Sequence, residues 1–177
     1  EALLIKYDER QGLVQLIDEA RLKDSLSLMQ AAEIRYFEQE EKLMLIEGVK
    51  YQKEEVVVTG DTAFYYRTLD GYDLYVHAVL TDKSFVVEAD DQIFYDDSLG
   101  TGFAKGHVIL SDTTDQTSLF CDSTLIRSSG DSFSCLGGSF GRPFALIEGE
   151  EGDSLFIVAD TFFLNTIKDT IKTDSVI

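Results

Sequence analysis

Between Leu13 and Glu47 the chain runs without a glycine or a proline. Polar and apolar residues alternate there at helix-like intervals. At 100° per residue, Leu13, Ile17, Ala20 and Ala31 share one face. Leu22, Leu26, Met29 and Tyr36, spaced 4, 3 and 7 apart, share roughly the opposite face. The spacing predicts one long helix centred on Ala20–Glu40, ending near Lys42 and Gly48. A surface helix carries one apolar stripe. Two stripes predict a helix that seats on its own domain and also meets something else; the other reading is a central helix buried on all sides.

After Gly48 the pattern shortens to extended runs. Glu55–Thr59 and Ala63–Thr68 read as strands separated by Gly60-Asp61. Asp73–Thr81 alternates, with Leu74, Val76, Ala78 and Leu80 on one side. Ser84–Ala89 follows a turn at Asp82-Lys83. His107–Leu110, Ser118–Cys121, Phe144–Ile147 and Leu155–Ala159 complete the set. Residues 96–106 and 148–153 read as loops. The tail from Thr161, with Phe162, Phe163 and Ile167, reads as a short helix or an edge strand. No internal repeat emerges. The close spacing predicts an antiparallel meander. The fold expected is α+β in one domain: a helical spine over 1–47 and a β-rich head over 48–177.

The 177 residues suffice for a core, and 44% are hydrophobic, which excludes a disordered chain. Net charge is −18. Residues 1–50 hold seven basic and eleven acidic residues; residues 51–177 hold eight and twenty-two. Such a field repels phosphate backbones and anionic lipid surfaces, so nucleic-acid and membrane-surface partners are not expected. No stretch approaches the roughly 20 apolar residues of a membrane helix. The chain opens on Glu1 without a methionine, and the expectation is a trimmed protein whose export segment lies upstream.

Candidate chemistry is sparse. Cys121 and Cys135 are the only cysteines. Their spacing is neither C-x-x-C nor a zinc pattern, which favours a disulfide in an exported protein over free thiols or redox chemistry. His77 and His107 lack ligand spacing and read as surface or edge-strand histidines. No G-x-S-x-G elbow is present. Gly100–Gly106 places its third glycine one residue too late for a dinucleotide loop. Asp90-Asp91, Asp96-Asp97 and Asp112–Asp115 offer oxygen ligands suited to Ca²⁺ but no EF-hand spacing, and no cofactor is expected. Phe64, Tyr65 and Tyr66 are consecutive, so a strand there presents aromatic rings on both faces.

The run Ala20-Arg21-Leu22-Lys23-Asp24-Ser25-Leu26-Ser27-Leu28-Met29 resembles the second half of the spine helix of type IV pilins and pseudopilins. Ala31-Ala32 and Tyr36-Phe37 stand where that family has alanines and an aromatic pair. Cys121, Cys135 and Leu136-Gly137-Gly138 resemble the disulfide-bounded C-terminal loop of some bacterial pilins. The resemblance implies a structural subunit of an extracellular pilus-like filament or secretion pseudopilus, without catalysis. It would be membrane-inserted before assembly and would pack on other subunits through Leu13, Ile17, Leu22, Leu26, Met29 and Tyr36. The visible chain would be monomeric. The alternative expectation is a secreted β-rich binding module, such as an adhesin or a carbohydrate-binding domain.

Overall fold

A computed structural model of the chain describes residues 1–114, 116–127, 132–139, 141–149 and 153–165. The architecture is all-β. Fifteen strands follow in chain order: β1 (Leu4–Asp8), β2 (Leu13–Lys23), β3 (Ser27–Phe37), β4 (Lys42–Lys53), β5 (Val56–Tyr66), β6 (Gly71–Tyr75), β7 (Ala78–Asp82), β8 (Phe85–Ala89), β9 (Gln92–Asp96), β10 (Thr101–Asp112), β11 (Thr117–Arg127), β12 (Ser132–Leu136), β13 (Phe144–Glu148), β14 (Ser154–Val158) and β15 (Thr161–Asn165). Among the described residues the sole helical piece is a single 3-10 turn at Glu38–Glu40. The expected α+β fold and its N-terminal spine helix are therefore wrong, and the pilin resemblance falls with them.

All strand pairings among the described residues are antiparallel. The main order is β1-β2-β3-β4-β5-β6-β9-β10-β11-β12-β15. The long strands serve two sets of neighbours. Residues 62–66 of β5 pair with β6, and residues 56–59 pair with β7. Residues 101–105 of β10 pair with β9, and residues 109–112 pair with β8. Residues 123–127 of β11 pair with β12, and residues 117–120 with β13. Each long strand thus passes from one leaf of sheet to a second leaf that faces it. At the centre, β5-β6-β9-β10-β8-β7 close into a six-stranded circuit, a flattened barrel.

The passage between leaves happens at a bend, and the bends recur. Pairs of residues with positive φ lie at Asp18-Glu19, Glu47-Gly48, Val76-His77 and Gly106-His107, intervals of 29, 29 and 30 residues. One outbound and one returning strand make the repeating hairpin unit, a periodicity that the sequence reading missed. Gly48 and Gly106 adopt left-handed geometry without penalty. A Cβ at Gly106 would also strike the Asp91 carboxylate.

The returning strands explain the false helix. The register of β3 shifts between Gln30 and Glu33. Its inward residues are therefore Met29, Ala31, Ile34 and Tyr36, spaced 2, 3 and 2. That central step of three mimics a helical stripe when a bulge interrupts alternation. The same 2-3-2 spacing recurs at Val58, Gly60, Ala63 and Tyr65, and at Leu119, Cys121, Thr124 and Ile126. Turn chemistry confirms hairpins. Asp24 Oδ1 accepts the backbone N–H groups of Leu26 (2.8 Å) and Ser27 (2.6 Å) at the β2–β3 turn.

The expected strand over Asp73–Thr81 is two strands, β6 and β7, broken at Val76-His77. The expected loop 96–106 holds the first half of β10. The Asp82-Lys83 turn does join β7 to β8. Phe162 and Phe163 lie in strand β15, while Ile167 lies outside the described residues.

The core lies between the leaves. Ile34, Leu45, Val58, Leu74, Val87, Ile93, Val108 and Leu110 are at most 2% exposed. Cys121 and Cys135 form a disulfide with a Cα–Cα distance of 5.7 Å. It joins the bend of β11 to β12 and is itself buried. Closing a loop of this size contributes about 3 kcal/mol in the chain-entropy picture. Both flanks of the sheet end in exposed apolar strands. Leu4, Ile5 and Tyr7 of β1 are exposed, as are Leu155, Phe156, Ile157 and Val158 of β14.

Candidate functional site

The leaves do not meet everywhere. Toward the N-terminal flank, β2, β3 and β4 leave an open trough of about 700 Å³ between them. Its walls come from both leaves: Val14, Leu16, Ile34, Tyr36 and Leu43 on one side, Leu22 and Met29 on the other. The alternation of these strands aims the apolar side chains inward. A volume of several hundred Å³ with apolar walls and few polar groups is the usual form of a ligand site.

Charge collects at the mouth. Lys23 and Asp24 sit at the β2–β3 tip, and Arg67 and Asp70 at the β5–β6 tip. Lys23 and Arg67 form no salt bridge among the described residues. Asp24 is already engaged: its turn N–H bonds hold its carboxyl below the usual range. Two cations at the rim of an apolar trough, neither in a salt bridge among the described residues, are notable in a chain of net charge −18.

A second pocket of about 380 Å³ lies further along, between the same two leaves. Leu80, Phe85 and Val87 face Tyr72, Ile126 and Phe133 across it. Phe85 stacks on Phe133 at 4.4 Å between ring centroids, bridging the leaves. Asp82, Asp97 and Asp112 stand at this mouth beside Lys83. Burial pushes the Tyr72 hydroxyl well above its ordinary pKa.

The six residues expected to form an assembly face separate into two groups. Leu22, Met29 and Tyr36 line the trough. Leu13 and Ile17 occupy the alternate positions of β2, and Leu26 is exposed at a turn. No helix joins them into one surface. Leu16, Ile34, Leu43 and Arg67 were not singled out from sequence; the 2-3-2 spacing was the signal available for Ile34.

The other candidates are dispersed. His77 Nδ1 lies 3.7 Å from Asp61 and His107 Nδ1 lies 2.9 Å from Asp90 Oδ2, both pairs exposed at bends. The Asp pairs serve local structure. Asp96 Oδ1 accepts from Ser98 Oγ and the Leu99 N–H. Asp112 Oδ1 accepts from the Thr114 N–H, and Asp115 lies outside the described residues. Among the described residues no three His, Cys, Asp or Glu side chains gather as a metal site. Tyr65 points inward and packs against the core, while Phe64 lies on the outer face against Tyr75. There Tyr75 and Gln92 both donate to the buried Asp73 carboxylate. That network is internally satisfied. No helix among the described residues is long and apolar enough to cross a membrane.

Comparison with known proteins found no family model that matches the chain and no curated protein that matches it in sequence.

Proposed function

We infer that the protein is a non-catalytic β-rich binding module whose trough takes the hydrocarbon part of an anionic lipid. The apolar trough rimmed by Lys23 and Arg67 carries this reading. Each buried methylene contributes about 0.8 kcal/mol, so one chain supplies useful affinity without ordered polar contacts. A carboxylate or phosphate headgroup would stay at the wet rim, where the two cations offer charge-assisted hydrogen bonds. The buried Cys121–Cys135 disulfide favours an oxidising compartment outside the cytosol.

The test is titration with a fluorescent fatty acid such as cis-parinaric acid. Wild type should saturate at a defined stoichiometry. Leu22→Glu, which places a charge on a half-buried wall, should weaken binding by at least about tenfold. Absence of saturable binding by folded wild type would overturn the reading.

A second reading rests on the two flanks. Among the described residues β1 and β14 each pair on one side only, and both carry exposed apolar side chains. Such edges are templates for strand addition. Sedimentation should show concentration-dependent association of wild type. Ile5→Lys together with Phe156→Lys should hold the protein monomeric.

A further inference from the structure

The trough is interrupted between its two pockets. Tyr51 of β4, on the second leaf, reaches across to Tyr65 (5.7 Å between centroids) and Tyr72 (6.3 Å) on the first. Tyr65 lines the N-terminal pocket and Tyr72 lines the other, so Tyr51 stands between them. Its burial raises its hydroxyl pKa to about 12, as expected for a ring inside a septum.

A polar strap lies at the tips beside these rings. Lys53, two residues beyond Tyr51, donates through Nζ to Asp70 Oδ2 at 2.6 Å and lies 3.7 Å from Asp97 Oδ2. The Tyr65 hydroxyl donates to Asp70 Oδ1 at 2.6 Å. Lys53 belongs to the second leaf, and the two carboxylates to tips of the first. Asp70 rims one pocket and Asp97 the other. The strap therefore ties the leaves together at the boundary. It remains accessible, with the Lys53 side chain 31% exposed.

We propose that the Lys53–Asp70–Asp97 strap is a gate, opened when the anionic headgroup of a bound lipid takes Lys53 from the two carboxylates. The proposal rests on the lipid reading given above. An ammonium group has three donors and accepts nothing, so a carboxylate or phosphate substitutes directly for an aspartate. Exchanging one charge-assisted pair for another at a wet rim is nearly balanced in free energy. Once released, Asp70 and Asp97 repel each other and no longer tie their tips to β4. The Tyr51 ring can then move with its own leaf, and a hydrocarbon chain can pass into the second pocket. An uncharged lipid has no means of releasing Lys53 and stays in the first pocket.

Calorimetric titration with dodecanoate, hexadecanoate and their uncharged monoacylglycerols tests this. In wild type, the longer chain should strengthen binding of the fatty acid by roughly tenfold and leave the monoacylglycerol unchanged. In Asp70→Asn/Asp97→Asn, the longer chain should strengthen both. Lys53→Met should also release the chain-length effect for the uncharged lipid, while Lys23 and Arg67 keep a reduced preference for the acid. Equal chain-length dependence for charged and uncharged lipids in wild type would overturn the gate and leave the binding site standing. Failure of wild type to bind any of the four would overturn the lipid reading and the gate with it.

Discussion

The closed centre of the molecule and its N-terminal flank are made from the same hairpin, yet the space left between the leaves is about 380 Å³ in the centre and about 700 Å³ in the flank. In the centre, Val58, Leu74, Ile93, Ala104 and Leu110 meet between the leaves and are almost wholly buried. In the flank, Val14, Leu22 and Tyr36 point the same way but remain half-exposed around open space. The centre is bounded on both sides by β5 and β10, whose halves pair with different strands on each leaf. The flank lacks such closure, because β2, β3 and β4 run unbroken through both leaves. Inward alternation alone therefore does not make a core. Closure of the pairing circuit narrows the space between the leaves, and its absence leaves the wider trough.

The sharpest way to break the comparison is by truncation. Leu74→Ala should cost about 3 kcal/mol, because the cavity it leaves has no room to relax. Leu22→Ala, on the flank, should cost about 1 kcal/mol or less, since its wall already faces solvent. Urea denaturation measures both, and equal losses would erase the distinction between centre and flank.

Cys121→Ser sharpens it at the other end of the sheet, where a covalent bond ties β11 to β12. Under oxidising conditions the variant should lose about 3 kcal/mol, visible as a fall in Tm of several degrees. Under reductant it should match wild type.

The smallest effect belongs to the strap between centre and flank. The Lys53 bond, then the Tyr65 bond, holds the Asp70 carboxyl below its usual range. Its stabilisation is present above the unfolded value, about 3.9, and is lost as pH falls through the depressed folded value. The bond to Asp70 raises Lys53. That contribution is complete below about 10.4 and is lost as pH rises through the raised value. Wild type should exceed Lys53→Met by at most about 1 kcal/mol, given the exposure of the pair. The difference should be level from about pH 5 to 9 and fade below about pH 4. A difference that changes across the level range would remove the ion pair as its cause.

The β-rich character after Gly48 and the cysteine pairing could be read from the chain, because alternation and an even cysteine count are local signals. The first 53 residues could not be read in the same way. The bulge in β3 placed Ala31 and Ile34 three residues apart, and without glycine or proline nothing contradicted a helix. Bends at Asp18-Glu19 and Val76-His77 contain no glycine, so they left no mark in composition. Only Glu47-Gly48 and Gly106-His107 carry a glycine that could have revealed the period. Leu22, Met29 and Tyr36 were read as part of an assembly face on a helix, and they line the trough. Their shared environment is the inside of a trough rather than a face of a helix. Lys53 and Asp70 come together through sheet register across 17 residues, which no local pattern encodes.

The recurring bend also bears on how such a molecule could change its size. Neighbouring strands are about 4.8 Å apart, so each hairpin unit occupies roughly 10 Å along the trough. Duplicating or deleting one unit would alter the channel's length by that increment and leave its cross-section untouched. The gauge of the channel and its reach are thus set by separate parts of the sequence: the first by inward side chains, the second by a count of repeats.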